Sequence, residues 1–185
     1  MSFRWLPTRS FPSESGRKPA LAVVTAAAIC VAGCGSGGHK TTATRVRQVV
    51  GVGYRFAAPP SWRVRRSGAN VSVGSGGADF VSVTVFRLAR RYEPRLWTKA
   101  VPALDRAAEQ VAAQLHGRIE RRATVVVAGR RARQYEIRYS RSGKRLVLRT
   151  AFLLDGRREL QLLCRFEAGS DEGACRSFFS SFRPA

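Results

Sequence analysis

Four cysteines, two histidines and a sparse set of acids are the residues of this chain with chemistry to offer. The cysteines are Cys30, Cys34, Cys164 and Cys175. A thiol can attack a carbonyl, hold a metal, accept an acyl group or pair with a second thiol. Catalysis would need a base beside the nucleophile, and a metal would need several ligands at fixed spacing. His39 and His116 are the only histidines, and neither keeps metal-site spacing to a cysteine. His39 falls in a Gly/Ser/Thr-rich stretch and His116 at a predicted helix end, which argues against a Ser-His-Asp arrangement. Asp105 and Glu109 stand one helical turn apart and could form an acid pair. No base, metal partner or apolar pocket accompanies them, so they read as a solvated face. Gly74 to Gly77 resembles a phosphate loop only in its glycines, because no Lys-Ser/Thr follows and no helix begins there. The sequence predicts no catalytic residue, no metal site and no cofactor.

What chemistry the spacing does support lies in the first 34 residues. Met1 to Lys18 carries Arg4, Arg9, Arg17 and Lys18 against one acid, Glu14. Ala20 to Ala32 then runs uncharged for thirteen residues. A membrane span needs roughly 20 apolar residues, so this run has the length of a signal-peptide core. Val31-Ala32-Gly33-Cys34 closes it with an aliphatic residue, two small ones and a cysteine. This tetrapeptide resembles the lipobox of bacterial lipoproteins. The resemblance implies a cleaved leader over 1–33 and a diacylglyceryl group on the Cys34 thiol. Fatty acyl chains such as palmitate would then hold the protein to the outer face of a membrane, and two or more chains hold stably. The alternatives are a plain secretory cut after Ala32 and a retained anchor. With no twin arginine ahead of the run, the general secretion route is the simpler one.

If Cys30 leaves with the leader and Cys34 is consumed by lipid, Cys164 and Cys175 remain. An even remainder in an oxidising compartment reads as a disulfide. Metal binding is the rival, and it would need ligands that the chain lacks.

Charge bounds the partners. The formal charge of +21 falls to about +18 once the leader's four bases and one acid are gone. In a cytosolic protein such a balance would suggest nucleic acid; the export signal argues against that partner. Of 33 basic residues only Lys18, Lys40, Lys99 and Lys144 are lysine. Pairs at Arg65-Arg66, Arg90-Arg91, Arg121-Arg122, Arg130-Arg131 and Arg157-Arg158 fall near predicted turns and element ends. They read as dispersed, solvent-facing charge, open to anionic lipid heads or acidic wall polymers.

The elements that must position any site follow from periodicity. Residues 34–48 are rich in Gly, Ser and Thr and read as a flexible tether of up to about 50 Å. One α+β domain is expected over 49–185. Tyr54 and Phe56 alternate with Arg55 as in a half-buried strand, Val71 to Val73 is a short strand, and Phe80 to Leu88 is a strictly alternating one. Leu96, Ala100, Leu104, Ala108, Val111 and Leu115 recur at helical spacing, with Pro102 inside and Gly117 placed to end the helix. A kink or a later start near Pro102 is expected.

Thr124 to Ala128 leads through Gly129 into Arg131 to Ser140, and a three-strand meander is expected, turning at Ser142-Gly143 and Asp155-Gly156. Tyr135, Ile137 and Tyr139 share one face, as do Leu146, Leu148, Phe152 and Leu154, and then Leu160, Leu162, Cys164 and Phe166. The other face would mix Gln134, Glu136, Arg138, Arg149, Gln161 and Arg165 with Val147, Ala151 and Leu163. That mixed face is a candidate ligand platform, or is half covered by the 96–115 helix. Asp171 and Glu172 open a last helix with a Cys175, Phe178, Phe179 and Phe182 stripe.

Tyr54-Arg55-Phe56 before Pro59, Pro60 and Trp62, a long helix, a meander and a terminal Phe178/Phe182 helix resemble the PsbP-like fold. That family includes extrinsic photosystem II proteins and many actinobacterial lipoproteins. The resemblance implies an antiparallel sheet with helices on both sides, an α/β/α sandwich, and non-enzymatic accessory or binding roles. It brings no catalytic residues. The expectation is therefore a lipid-anchored extracytoplasmic binding module, whose partners are the membrane through Cys34 and an envelope protein or anionic polymer. A basic polymer-binding surface or a small envelope hydrolase are the alternatives.

Overall fold

The alternating β-branched stretches close into two antiparallel sheets in the computed structural model, which describes residues 46–185. In chain order the strands are β1 (Arg47–Gly51), β2 (Tyr54–Ala58), β3 (Arg63–Ser67), β4 (Asn70–Gly74) and β5 (Phe80–Arg87). A single 3-10 turn over Pro94–Leu96 leads into helix α1 (Trp97–Gln114). Then come β6 (Arg118–Val127), β7 (Arg130–Arg141), β8 (Lys144–Asp155) and β9 (Arg158–Glu167), followed by helix α2 (Gly173–Ser181) and the two-residue β10 (Arg183–Pro184). The large sheet has the order β3-β4-β5-β9-β8-β7-β6, and the small one β1-β2-β10.

Three layers result. Val111 and Ala112 of α1 bury against Ile137, Tyr139, Leu146, Leu148 and Leu163 on one face of the large sheet. On its other face, α2 and the small sheet enclose Val73, Val81, Leu153, Leu162 and Phe166. The rings of Phe56 on β2 and Phe178 on α2 meet edge-on at 5.0 Å, a geometry that adds to plain apolar burial. Cys164 on β9 and Cys175 on α2 form a disulfide with Cα atoms 5.7 Å apart. The sequence expectation of an α+β fold with helices on both faces of an antiparallel sheet holds.

Several details differ from the sequence reading. The chain enters β1 at Arg47, two residues inside the stretch read as tether. The meander has four strands: the lead-in read from Thr124 is the end of a strand, β6, that starts six residues earlier at Arg118. Helix α1 begins at Trp97 and runs through Pro102. The bond that Pro102 cannot donate would have gone to Thr98, which is exposed, so water can serve that carbonyl. The helix ends in a paired 6→1 and 5→2 motif, with Gly117 N–H donating to Ala112 O at 2.9 Å and His116 N–H to Ala113 O at 3.0 Å. The left-handed residue is His116, at φ 49°. Gly117 serves a different need: a Cβ there would lie 2.7 Å from the Arg138 carbonyl oxygen. It allows the chain to pass close over β7.

The largest correction concerns the faces. Asp155 pairs with Arg158 across a two-residue loop, so even-numbered residues of β8 oppose odd-numbered residues of β9. Gln161, Leu163 and Arg165 therefore share a face with Leu148 and Phe152, beneath α1. Leu160, Leu162, Cys164 and Phe166 lie with Val147, Arg149 and Ala151, beneath α2. The mixed face is thus covered by α2 and the small sheet, whereas α1 covers the tyrosine-bearing one.

Candidate functional site

Register builds one row of side chains across four strands. Arg121 opposes Glu136, Glu136 opposes Arg149, and Arg149 opposes Cys164. The disulfide ties the end of that row to α2, whose Arg176 and Phe179 then form the far wall. Between them lies a groove of about 300 Å³, with Ala123 and Gln134 from the adjacent row in its lining. This is the part of the mixed face that α2 leaves uncovered. Gln134, Glu136 and Arg149 come together as the sequence suggested, while Gln161 and Arg165 belong to the opposite face.

Charge in the groove is partly locked and partly available. Arg149 donates Nη2 to Glu136 Oε2 at 3.0 Å, its Nη1 lies 3.0 Å from Glu172 Oε2, and the guanidinium lies 5.5 Å from the Phe166 ring centre. Burial alone would lower its pKa, but the two carboxylates outweigh burial and raise it. Arg149 is therefore a fixed strut between sheet and helix. Arg121 is exposed and has no acidic partner among the described residues. Arg176 meets Asp171 at 3.2 Å, but both side chains are mostly exposed, and such a pair contributes little and exchanges freely. Two available guanidiniums beside the partly buried Phe179 suit a ligand with an anionic group and an apolar part.

A second groove of about 410 Å³ runs along Arg47, Gln48, Val49, Val64 and Arg66. Here the arginines are structural. Arg47 donates to the Trp62 carbonyl, and Arg66 donates Nη1 to Val50 O at 2.8 Å. They strap β1 to the β3 edge of the large sheet.

The other sequence candidates resolve as follows. Cys34 and His39 lie outside the described residues. Cys164 and Cys175 are joined. His116 is exposed at the end of α1. Asp105 and Glu109 diverge: Asp105 Oδ1 accepts bonds from Tyr135 and Arg133, and Glu109 accepts one from Arg122 at 3.0 Å. They bolt α1 to the sheet and do not form an acid pair. The end of the glycine turn presents carbonyls to Arg165, which donates Nη2 to Gly77 O at 3.5 Å and Nε to Ala78 O at 2.6 Å. Among the described residues no group of three or more His, Cys, Asp or Glu could hold a metal ion, and no helix is long and apolar enough to cross a membrane. Sequence reasoning missed Arg121 and Arg176 as groove residues; only the β6–β7 register and the position of α2 reveal them.

No family profile and no curated protein sequence matches the chain. Solved structures do. The PsbP protein of Synechocystis sp. PCC 6803 (CyanoP) superposes with a TM-score of 0.54 at 13% identity, covering 82% of this chain and 98% of that one. The fold is PsbP-like. A protein from Bacteroides thetaiotaomicron superposes with a TM-score of 0.53 at 7% identity over 72% of this chain. This chain spans 45% of that protein's length. LpqN, involved in cell envelope biogenesis of Mycobacterium tuberculosis, matches more loosely, with a TM-score of 0.44 at 14% identity over 75% of this chain and 89% of that one.

Proposed function

We propose that this chain is a lipid-anchored, extracytoplasmic binding or accessory module of the cell envelope, and that it works by holding a partner in the groove beside α2. One observation carries the binding part. The groove lining offers guanidiniums, an amide, a carboxylate and an aromatic edge, and no serine, threonine, cysteine, histidine or lysine; the hydroxyl of its one tyrosine, Tyr135, is bonded to Asp105 on α1. These are groups that hold a ligand, whereas nucleophilic catalysis needs an activated nucleophile with its base. The anchor part rests on the leader and on Val31-Ala32-Gly33-Cys34. The PsbP-like fold is compatible with this role, but fold alone does not fix function, and photosystem chemistry does not transfer with it.

The test is capture from detergent-solubilised envelope with the native protein and with an Arg121→Glu/Arg176→Glu variant. Both positions are exposed, so the fold should persist. A partner held by the native protein and lost by the variant supports the groove. A partner retained by the variant would move the site elsewhere, and turnover of an ester or amide substrate abolished by the variant would favour an envelope hydrolase.

A further inference from the structure

Three of the five arginine pairs that look dispersed along the sequence meet at one end of the large sheet. β5 ends there at Arg87, β7 begins at Arg130, β8 ends at Asp155 and β9 begins at Arg158. The segment after β5 folds back onto the β8–β9 turn, with Leu88 N–H donating to Arg157 O at 2.9 Å and Tyr92 N–H to Gly156 O at 2.7 Å. That contact brings Arg90 and Arg91 to the same end. Arg131 is close enough for its charge to act on the Tyr92 hydroxyl.

The acids at this end are engaged or buried. Asp155 is paired with both Arg130 and Arg158, Glu93 with Arg95 at 2.7 Å, and Glu159 is 3% exposed. Arg87, Arg90, Arg91, Arg131 and Arg157 are exposed, and none has an acidic partner among the described residues. Five guanidiniums without acidic partners at one end of the sheet make a stronger local field than the same charges spread over the domain.

Two exposed valines flank them. Val126 opposes Arg131 across the β6–β7 pair and is 73% exposed. Val52, at 89%, sits in the β1–β2 turn. Its neighbour Gly53 accepts bonds from Arg158 at 3.4 Å and from the Ala185 N–H at 2.9 Å. Cations with projecting apolar side chains fit an interface with charged heads above and hydrocarbon below. A free polyanion would use the arginines and have no use for the valines.

We infer that this end of the sheet docks on the surface of an anionic phospholipid bilayer and so orients the tethered domain. The inference rests on the lipid-anchored reading, since a membrane must lie within reach. The stretch from Cys34 to Arg47 spans up to about 45 Å, so the tether permits that orientation without imposing it. Docking leaves the groove beside α2 free for its own partner.

Thr44–Ala185 forms one compact unit, so a chain starting at residue 34 contains the folded domain. The test is cosedimentation of that chain, carrying Cys34→Ser and therefore no lipid, with phosphatidylglycerol/phosphatidylcholine vesicles and with pure phosphatidylcholine vesicles. Binding is expected only to the anionic vesicles and should fall steeply as salt shortens the screening length to about 10 Å. Arg90→Gln/Arg91→Gln/Arg131→Gln/Arg157→Gln should weaken it about a hundredfold or more. A control with the same charge change elsewhere, Arg63→Gln/Arg65→Gln/Arg106→Gln/Arg145→Gln, should weaken it less than about threefold, since those charges lie away from the docked end. Val52→Ser/Val126→Ser should weaken vesicle binding severalfold and leave binding to soluble polyphosphate unchanged. Equal losses in the two arginine sets would reduce the effect to net charge and overturn the inference. Full vesicle binding by the valine variant would make the end a polymer surface and overturn it too. Because this chain carries no lipid, the outcome is independent of whether Cys34 is acylated in the cell.

Discussion

Tyr135 on β7 donates its hydroxyl to Asp105 Oδ1 on α1 at 2.6 Å, and Arg133 donates Nε to the same oxygen at 3.0 Å. One carboxylate oxygen thus joins the long helix to β7, one strand in from the β6 edge, beside the edge-on contact of Tyr135 with Phe152 at 5.8 Å.

Tyr135→Phe keeps the ring packing and removes only the hydroxyl. Hydrogen bonds to charged groups are worth about 1.5–3 kcal/mol. Asp105 and Arg133 are about a fifth exposed, so a loss of about 1 kcal/mol is expected after screening. In urea the midpoint should fall with an unchanged slope. An unchanged midpoint would show that the bond contributes nothing.

Stability should also depend on acid pH through Asp105 and Asp155. Burial acts to raise both carboxyls. Hydrogen bonds from Tyr135 and Arg133 at Asp105, and from Arg130 and Arg158 at Asp155, outweigh it, so both lie below the ordinary value of 3.8. A depressed folded-state pKa contributes stability that is present above the unfolded value and is lost as pH falls through the folded value. Denaturant curves should therefore show stability falling below about pH 4. Asp105→Asn/Asp155→Asn should flatten that limb; an equally steep limb in the variant would assign it to other acids.

At the end of α1, adjacent residues should respond in opposite ways. Gly117→Ala places a methyl 2.7 Å from the Arg138 carbonyl oxygen and 2.9 Å from Tyr139 Cβ, and overpacking of this kind costs about 1–3 kcal/mol. His116→Gly relieves a left-handed side chain and should be neutral or stabilising by up to about 1 kcal/mol. Thermal melts of the two variants separate the effects. A tolerated Gly117→Ala would mean that β7 moves aside.

The disulfide sets the position of α2 and with it one wall of the groove. Thiol labelling of the unfolded, unreduced protein should find neither Cys164 nor Cys175. Cys164→Ala/Cys175→Ala should cost about 3 kcal/mol by the entropy of the closed loop, and should weaken whatever the groove holds. Labelling of both cysteines in the unreduced protein would contradict the bond.

The sequence carried much of this fold, and the places where it failed have physical causes. Phe80 to Arg87 reads clearly because alternation survives there. β8 and β9 are buried on both faces, and polar residues such as Thr150, Gln161 and Arg165 lie inside beside apolar ones, so polarity no longer tells one face from the other. The parity of the β8–β9 pair was encoded only in the length of its turn, and a one-residue error moves a whole strand to the wrong face. β3, Arg63–Ser67, holds one apolar residue and four polar ones, which is how a guarded edge strand looks and how a loop looks. The arginines at the sheet end could not be read at all. Arg90, Arg131 and Arg157 are far apart in sequence and meet only through topology.

The anchoring of the domain is tested most directly by intact mass spectrometry of the N-terminal peptide from membrane-extracted protein. The expected species begins at Cys34, lacks residues 1–33 and carries a diacylglyceryl group on the Cys34 sulfur. An unmodified peptide that begins at Gly33, or one that keeps the leader, would contradict lipid anchoring and leave a secreted or membrane-retained domain in its place.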